Sequence, residues 1–213
     1  MLQYLQSVIL LISTISIVTG GKCFQDRDEL KSAVDEFIDG DCGSSNNECN
    51  VTNIIYGYPM PMNSWCIGNV TSLRYLFSVK QTFNEDISGW DTSRVTSMEG
   101  TFSGASLFSG NQIEFWNVSS VRNMKETFLA ASSFDANLSE WDVSSVTNMR
   151  EMFNRAYKFE GKGLENWSTS LQSTWDRCSR VLLRFRETYQ LGKFLAYLVC
   201  IKHSMELEHL TLI

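Results

Sequence analysis

Three groupings of side chains in this sequence have the types and spacing to do chemistry. Glu85 and Asp86, with Asp91 five residues further on, are neighbouring carboxylates of the kind that divide general acid and base work. Asp91, Asn117, Asp142 and Ser168 recur at intervals of 25 or 26 residues and set side-chain oxygens along one edge. Calcium takes six to eight such oxygens, and acidic repeats sometimes supply them. Ser93, Ser119, Ser144 and Ser170 recur in step and would be nucleophiles if a base stood beside them. No base does. The two histidines, His203 and His209, fall in the last eleven residues, so neither an activated serine nor a multi-histidine metal site can be assembled in the body of the chain. The later counterparts of Glu85 and Asp86 are not carboxylates as a set, and the Asp/Asn edge alternates in charge. The expectation is a solvated edge and a ladder of serine hydroxyls satisfying backbone groups between coils, with no catalytic residue, no metal and no cofactor.

Cysteine and asparagine carry the remaining chemistry. Cys23, Cys42, Cys49 and Cys66 form an even set within 44 residues. In an oxidising compartment that implies two disulfides, with three connectivities open. Cys42 and Cys49 lie seven apart instead of in the C-x(2 to 4)-C hairpin usual for structural zinc. Five sequons stand at Asn50, Asn69, Asn117, Asn137 and Asn166 and are candidate glycosylation sites. Secretion is consistent with both. The first charge of the chain is Lys22, and the apolar run Val8 to Val18 closes on Thr19-Gly20-Gly21, the pattern of a secretory signal peptide over residues 1–21. That run and the later one from Phe194 to Ile201 are both shorter than a membrane span, so no span is expected in the mature chain. Lys22 before Cys23 does not suit bacterial lipid attachment. A net charge of -6 argues against a nucleic-acid partner.

The elements that must position these groups repeat. Trp65, Trp90, Trp116, Trp141 and Trp167 are separated by 25, 26, 25 and 26 residues. Other columns keep step: Val70, Val95, Val121, Val146 and Leu171; Leu73, Met98, Met124 and Met149; Phe77, Phe102, Phe128 and Phe153; Phe83, Phe108, Phe134 and Phe159. Ala105, Ala131 and Ala156 form another column, which Lys80 breaks in the first coil, and Ile87, Ile113, Leu138 and Leu164 precede the next Trp. Val95, Met98, Phe102 and Ala105 stand at i, i+3, i+7 and i+10, the stripe of an amphipathic helix, with Thr96 and Glu99 as a capping box. Around Trp141 the alternation with Val143 inward and Asp142 and Ser144 outward predicts a short strand. The fold class expected is therefore an α/β repeat, a solenoid of stacked strand–helix coils.

The unit Trp-Asp-Val-Ser-Ser-Val-Thr-Asn-Met-x-x-Met-Phe-x-x-Ala-x-x-Phe, read from Trp141 to Phe159, resembles the repeat of BspA-like leucine-rich-repeat surface proteins of the mycoplasma-lipoprotein type. The likeness covers about residues 65 to 171. It implies a curved leucine-rich-repeat solenoid, secreted or on a cell surface, acting through adhesion or protein contact without catalysis. The family has no set of functional residues to carry over. Two departures are the absent lipidation site and the decay of the repeat after Leu171.

The organisation expected is a signal peptide at 1–21, a disulfide-stapled N-terminal cap at 22–64, the repeat at 65–171 and a divergent segment at 172–213. A helix is predicted from Phe24 to Phe37, with Leu30, Ala33 and Val34 on its buried side and Asp26 near its start, and a strand at 53–57. Residues 172–213 carry 6 basic and 4 acidic side chains against 12 and 20 for residues 22–171. They read either as a helical cap or as a departure of the reading frame from the repeat. A candidate binding surface follows from which outward positions vary. The residue before each Trp runs Gly89, Phe115, Glu140 and Asn166, flanked by Asp91 and Asp142, while its neighbours are nearly constant. Phe115 is expected to be an exposed aromatic anchor on a concave face. The function expected is an adhesive or protein-binding module for an extracellular or surface protein or glycan. A self-associating coat or matrix component is the alternative.

Overall fold

A computed structural model describes residues 23–39, 61–111 and 113–167. The expected signal segment, the linker bearing Cys42, Cys49 and Asn50, the expected strand at 53–57, and residues 168–213 with Ser168, Ser170, Leu171, His203 and His209 lie outside the described residues.

Helix α1 spans Arg27–Asp39. It starts because the Asp26 carboxylate accepts hydrogen bonds from the backbone N–H groups of Asp28 and Glu29, both at 2.9 Å, which pairs two donors the first turn leaves open. Leu30, Ala33, Val34 and Phe37 recur on one face and are fully or almost fully buried. Burial of each of the larger three is worth about 1.5–3 kcal/mol. That face covers the first repeat. Phe37 meets Trp65 edge-on at 5.7 Å and Phe24 packs on the same indole at 5.4 Å. A disulfide between Cys23 and Cys66 ties the two together. Of the three possible pairings of the first four cysteines, only the one that contains Cys23–Cys66 is compatible with this bond. Lys80, the residue that breaks the alanine column, is explained here: its ammonium lies 2.9 Å from Asp35 and 2.8 Å from Asp39 of α1.

From Trp65 onward the chain forms a stack of rungs, taken as 65–89, 90–115, 116–140 and 141–166. The backbone follows one alternating rule. Met98, Gly100, Phe102 and Gly104 donate their N–H groups to the carbonyls of Asn123, Lys125, Thr127 and Leu129 in the next rung, at 2.7–2.9 Å. Between them, Thr101, Ser103 and Ala105 donate back to Met98, Gly100 and Phe102, closing successive turns within the rung. The same pattern joins the first rung to the second and the third to the fourth. Ser72, Ser97, Asn123 and Asn148 pair in parallel bridges along this ladder.

This arrangement corrects the expected fold class. Among the described residues no strand is present and α1 is the one α-helix, so the rungs are not strand–helix coils. The stripe of Val95, Met98, Phe102 and Ala105 is buried as expected, but it lies on consecutive turns rather than on a helix. Left-handed backbone recurs at two places per rung: Tyr75 and Val79, Gly100 and Gly104, Glu126 and Ala130, Glu151 and Arg155. A positive φ at the third residue of a turn is what a type II turn requires, and it cannot continue a right-handed helix. The expected capping box is absent for the same reason: Thr96 donates its hydroxyl to the Thr71 carbonyl, and Glu99 is engaged elsewhere. Around Trp141 the alternation of burial holds, yet Val146 donates to Val143 across a turn, so no strand forms.

Each rung contributes the same rings to a continuous core. Phe77, Phe102, Phe128 and Phe153 stack face to face at 5.3, 5.6 and 5.6 Å, with interplanar angles of 7° or less. Four indole N–H groups reach back 28 or 29 residues to a backbone carbonyl and so tie the stack together: Trp90 donates to Met62, Trp116 to Ile87, Trp141 to Ile113 and Trp167 to Leu138, at 2.8–3.1 Å. A buried Trp that kept no partner for its N–H would incur a desolvation cost of about 1–3 kcal/mol. Thr101 and Thr127, absent from the expected core, are fully buried, and each hydroxyl lies within 3.0 Å of one carbonyl in its own rung and one in the rung before.

Candidate functional site

The two 26-residue rungs carry their extra residue between Phe108 and Ile113 and between Phe159 and Leu164, just ahead of 3-10 turns at Ile113–Phe115 and Leu164–Asn166. Gly110 and Gly161, both with positive φ, lead into them. In the first of these turns Ile113 is buried and accepts the N–H of Trp116, which is itself 2% exposed. Phe115 sits between these two anchored residues and faces solvent, at 74% exposure. An unpartnered ring of this size on a short, pinned turn is presented with little conformational freedom left to lose.

Phe115 stands at one side of a groove of about 380 Å³, lined by Glu114, Phe115, Trp116, Asn117, Val118, Glu140 and Asp142. The lining follows from the register of the stack. Phe115 and Glu140 occupy the same position in adjacent rungs, as do Asn117 and Asp142, while the nearly buried Trp116 and Val118 lie between them. Of the residues singled out for binding, the groove gathers Phe115, Glu140 and Asp142. Gly89, Asp91 and Asn166 are not in its lining. Gly89 is exposed, but a side chain there would meet the Asn63 carbonyl oxygen at 2.3 Å, so its identity is set by packing against the turn Met62–Ser64. Asp91 and Asn166 are exposed, one repeat before Asn117 and one repeat after Glu140.

The Asp/Asn and Ser columns turn out to serve each other. Asp91 Oδ1 accepts the Ser93 N–H at 3.1 Å and its hydroxyl at 2.6 Å, and Asn117 Oδ1 does the same for Ser119 at 3.1 and 2.7 Å. Asp142 accepts the Ser144 N–H at 3.0 Å. These are Asx turns inside one rung, so the hydroxyls of Ser93 and Ser119 bond within their own rung and not between coils. Hydrogen bonds from the Ser93 hydroxyl and N–H hold the Asp91 carboxyl below the usual carboxylate range, and Ser144 does so for Asp142. Asp86 is lowered in the same way, chiefly by the Ser88 N–H. Two members of the carboxylate grouping that opened the chemical reading, Asp86 and Asp91, are thus turn-forming groups, and Glu85 is exposed. Among the described residues no three His, Cys, Asp or Glu side chains stand together as a metal-holding group.

The other expected sites fall as follows. Asn69, Asn117, Asn137 and Asn166 are all exposed; Asn117 lies in the groove lining, and Asn137 Oδ1 accepts the Ser139 N–H at 3.0 Å. The disulfide candidates Cys23 and Cys66 are bonded, and Cys42 and Cys49 lie outside the described residues. Sequence reasoning missed a charged cluster on a different face of the stack. Glu99, 9% exposed, accepts from Tyr75 Oη at 3.1 Å, Asn123 Nδ2 at 3.1 Å and Lys125 Nζ at 3.3 Å, with Arg74 Nε at 3.2 Å. Burial pushes the Glu99 carboxyl up, but the Lys125 and Tyr75 hydrogen bonds and the Arg74 charge outweigh it and leave the group below its usual value. The sequence signal was the position nine residues after each Trp, which runs Arg74, Glu99, Lys125 and Arg150.

Fold and groove together define a protein built of hydrogen-bonded turns stacked in register, with an aromatic and acidic groove along one edge. The chain belongs to the family described as Mycoplasma protein of unknown function, DUF285, whose model matches residues 46–167, more than half of its length. No curated protein and no solved structure matches it. Among the described residues no helix is long and apolar enough to cross a membrane.

Proposed function

We propose that this chain is a secreted or cell-surface, non-catalytic repeat protein that binds a partner protein or glycan through the edge bearing the residues before each Trp. The observation that carries the reading is Phe115, 74% exposed beside Glu140 in the column before each Trp, which varies from rung to rung. Buried aromatic anchors supply a disproportionate share of interface energy, and a monomer gains nothing from leaving such a ring bare on a rigid turn. The resemblance of the Trp141–Phe159 unit to BspA-like leucine-rich-repeat surface proteins supports the same reading, and the Cys23–Cys66 disulfide supports an oxidising compartment. Two of the three carboxylates that suggested acid–base chemistry, Asp86 and Asp91, are occupied in turns, which favours binding over catalysis.

The test is capture of surface proteins from source cells by the secreted full chain, compared with Phe115→Ser. Capture that depends on Phe115 supports the reading, and capture that is equal in the two forms overturns it. Sedimentation across a range of concentrations separates a receptor-like binder from a self-associating coat, since only the coat would assemble on its own as concentration rises.

A further inference from the structure

The groove beside Phe115 has a chemistry that narrows its occupant. Its lining carries three carboxylates, on Glu114, Glu140 and Asp142, and no cation. Among the described residues none of the three makes a salt bridge, although Glu99, Glu126, Glu151 and Asp135 on other faces each have one. Asp142 is already oriented by the Ser144 N–H, so its second oxygen is directed without further ordering. The stacking of Phe77, Phe102, Phe128 and Phe153 sets one rung step at 5.3–5.6 Å. Phe115 and Glu140, one step apart at the same position, therefore place an exposed ring and a carboxylate within the span of a single long side chain.

We propose that this groove receives a lysine- or arginine-bearing segment of a partner protein, with the aliphatic stem and cationic head of that side chain lying over Phe115 and its charge met by Glu140, Asp142 and Glu114. The proposal rests on the reading of this edge as a binding surface and specifies its partner. A cation within about 6 Å of an aromatic face is attracted by the ring quadrupole, and the attraction grows when neighbouring carboxylates and a nearly buried floor exclude water. Trp116 and Val118 form that floor. A neutral apolar segment would bury Phe115 but would leave the carboxylates desolvated without partners, which disfavours it.

The experiment is a chemical-shift titration of the full chain in low salt with the peptide acetyl-Ala-Arg-Ala-Arg-Ala-amide, with acetyl-Ala-Gln-Ala-Gln-Ala-amide as the uncharged probe. Shifts centred on residues 114–118 and 140–142 with the arginine peptide, weakening as salt rises, are expected. Phe115→Ala and Glu140→Gln should each weaken binding by about three- to fivefold. Glu85→Gln, an exposed carboxylate in the first rung, should leave binding within about twofold. Equal weakening by all three substitutions would mean diffuse attraction to an acidic protein and would overturn the proposal, as would equal binding of the two peptides. The two readings fail separately. If Phe115→Ser abolishes capture of the cell-surface partner while the arginine peptide ignores the groove, the cationic occupant is wrong and the binding edge stands. If capture survives Phe115→Ser, the edge itself is wrong.

Discussion

Trp141 offers the sharpest measure of how the rungs are held together. Its indole is 3% exposed, lies 6.1 Å from the Phe128 ring in the preceding rung, and donates its N–H at 2.9 Å to the carbonyl of Ile113, 28 residues earlier in the chain. Replacing it with alanine removes a side chain that buries about 150–250 Å². At roughly 25 cal/mol per Å², that area is worth about 4–6 kcal/mol. Alanine recovers part of it, and the cavity left behind costs more, so the expected loss is about 3–5 kcal/mol. Trp141→Phe keeps most of the ring volume and removes one hydrogen bond to the Ile113 carbonyl, which still accepts the Trp116 N–H, for an expected loss of about 0.5–1.5 kcal/mol. Phe115→Ala, at an exposed position, should cost no more than about 0.5 kcal/mol. Urea denaturation of the full chain, followed by far-ultraviolet circular dichroism, measures all three. A loss under about 1 kcal/mol for Trp141→Ala, or equal losses for Trp141→Ala and Phe115→Ala, would show that the indoles do not join the rungs.

Gly100 holds a positive φ, and a side chain there would meet the Tyr75 ring at 2.1 Å, so Gly100→Ala should lower the melting temperature in the native chain and do so much less in a Tyr75→Ala background. Gly104→Ala, whose nearest neighbour stands at 3.5 Å, should be the milder of the two glycine changes. Reduction of Cys23–Cys66 releases a 43-residue separation and should destabilise the chain by about 4 kcal/mol on the chain-entropy model, with hydrogen exchange rising first in α1 and the first rung. Asp86, Asp91 and Asp142 titrate below the ordinary carboxylate value, so the stability they contribute is present above the unfolded value near pH 4 and is lost as pH falls through their lower folded values. Thermal melts between about pH 2 and 6 should show that loss. Asp91→Asn in unglycosylated protein should flatten its share, because Asn117 makes the same two bonds to Ser119.

How much of this was legible beforehand depends on what each signal reports. Helix α1 was legible because a cap and a buried stripe are local: Asp26 and the positions of Leu30, Ala33, Val34 and Phe37 contain the whole argument. The inward columns were legible too, since Trp, Val, Met and Phe recurring every 25 or 26 residues can be buried only by stacking on their counterparts. Phe115 was legible as the aromatic exception at an outward position. The groove around it was not, because it depends on Glu140 arriving beside it from 25 residues away, in a register that only the ladder defines.

The sequence by itself determined which side chains face inward, where the period breaks and which cysteines and carboxylates are available. Only the tertiary structure decided the path of the backbone between those side chains. A spacing of i, i+3, i+7 and i+10 is satisfied equally by a helix and by consecutive turns, and the choice rests on where each N–H finds its carbonyl. In a helix the partner is local. Here every second N–H from Met98 to Gly104 is met by the next rung, and the turns that aim it there need left-handed residues. Gly100 and Gly104 advertise that need in one rung; Tyr75, Val79, Glu126, Ala130, Glu151 and Arg155 accept the same strain unmarked, held by neighbours that exist only once the stack has formed.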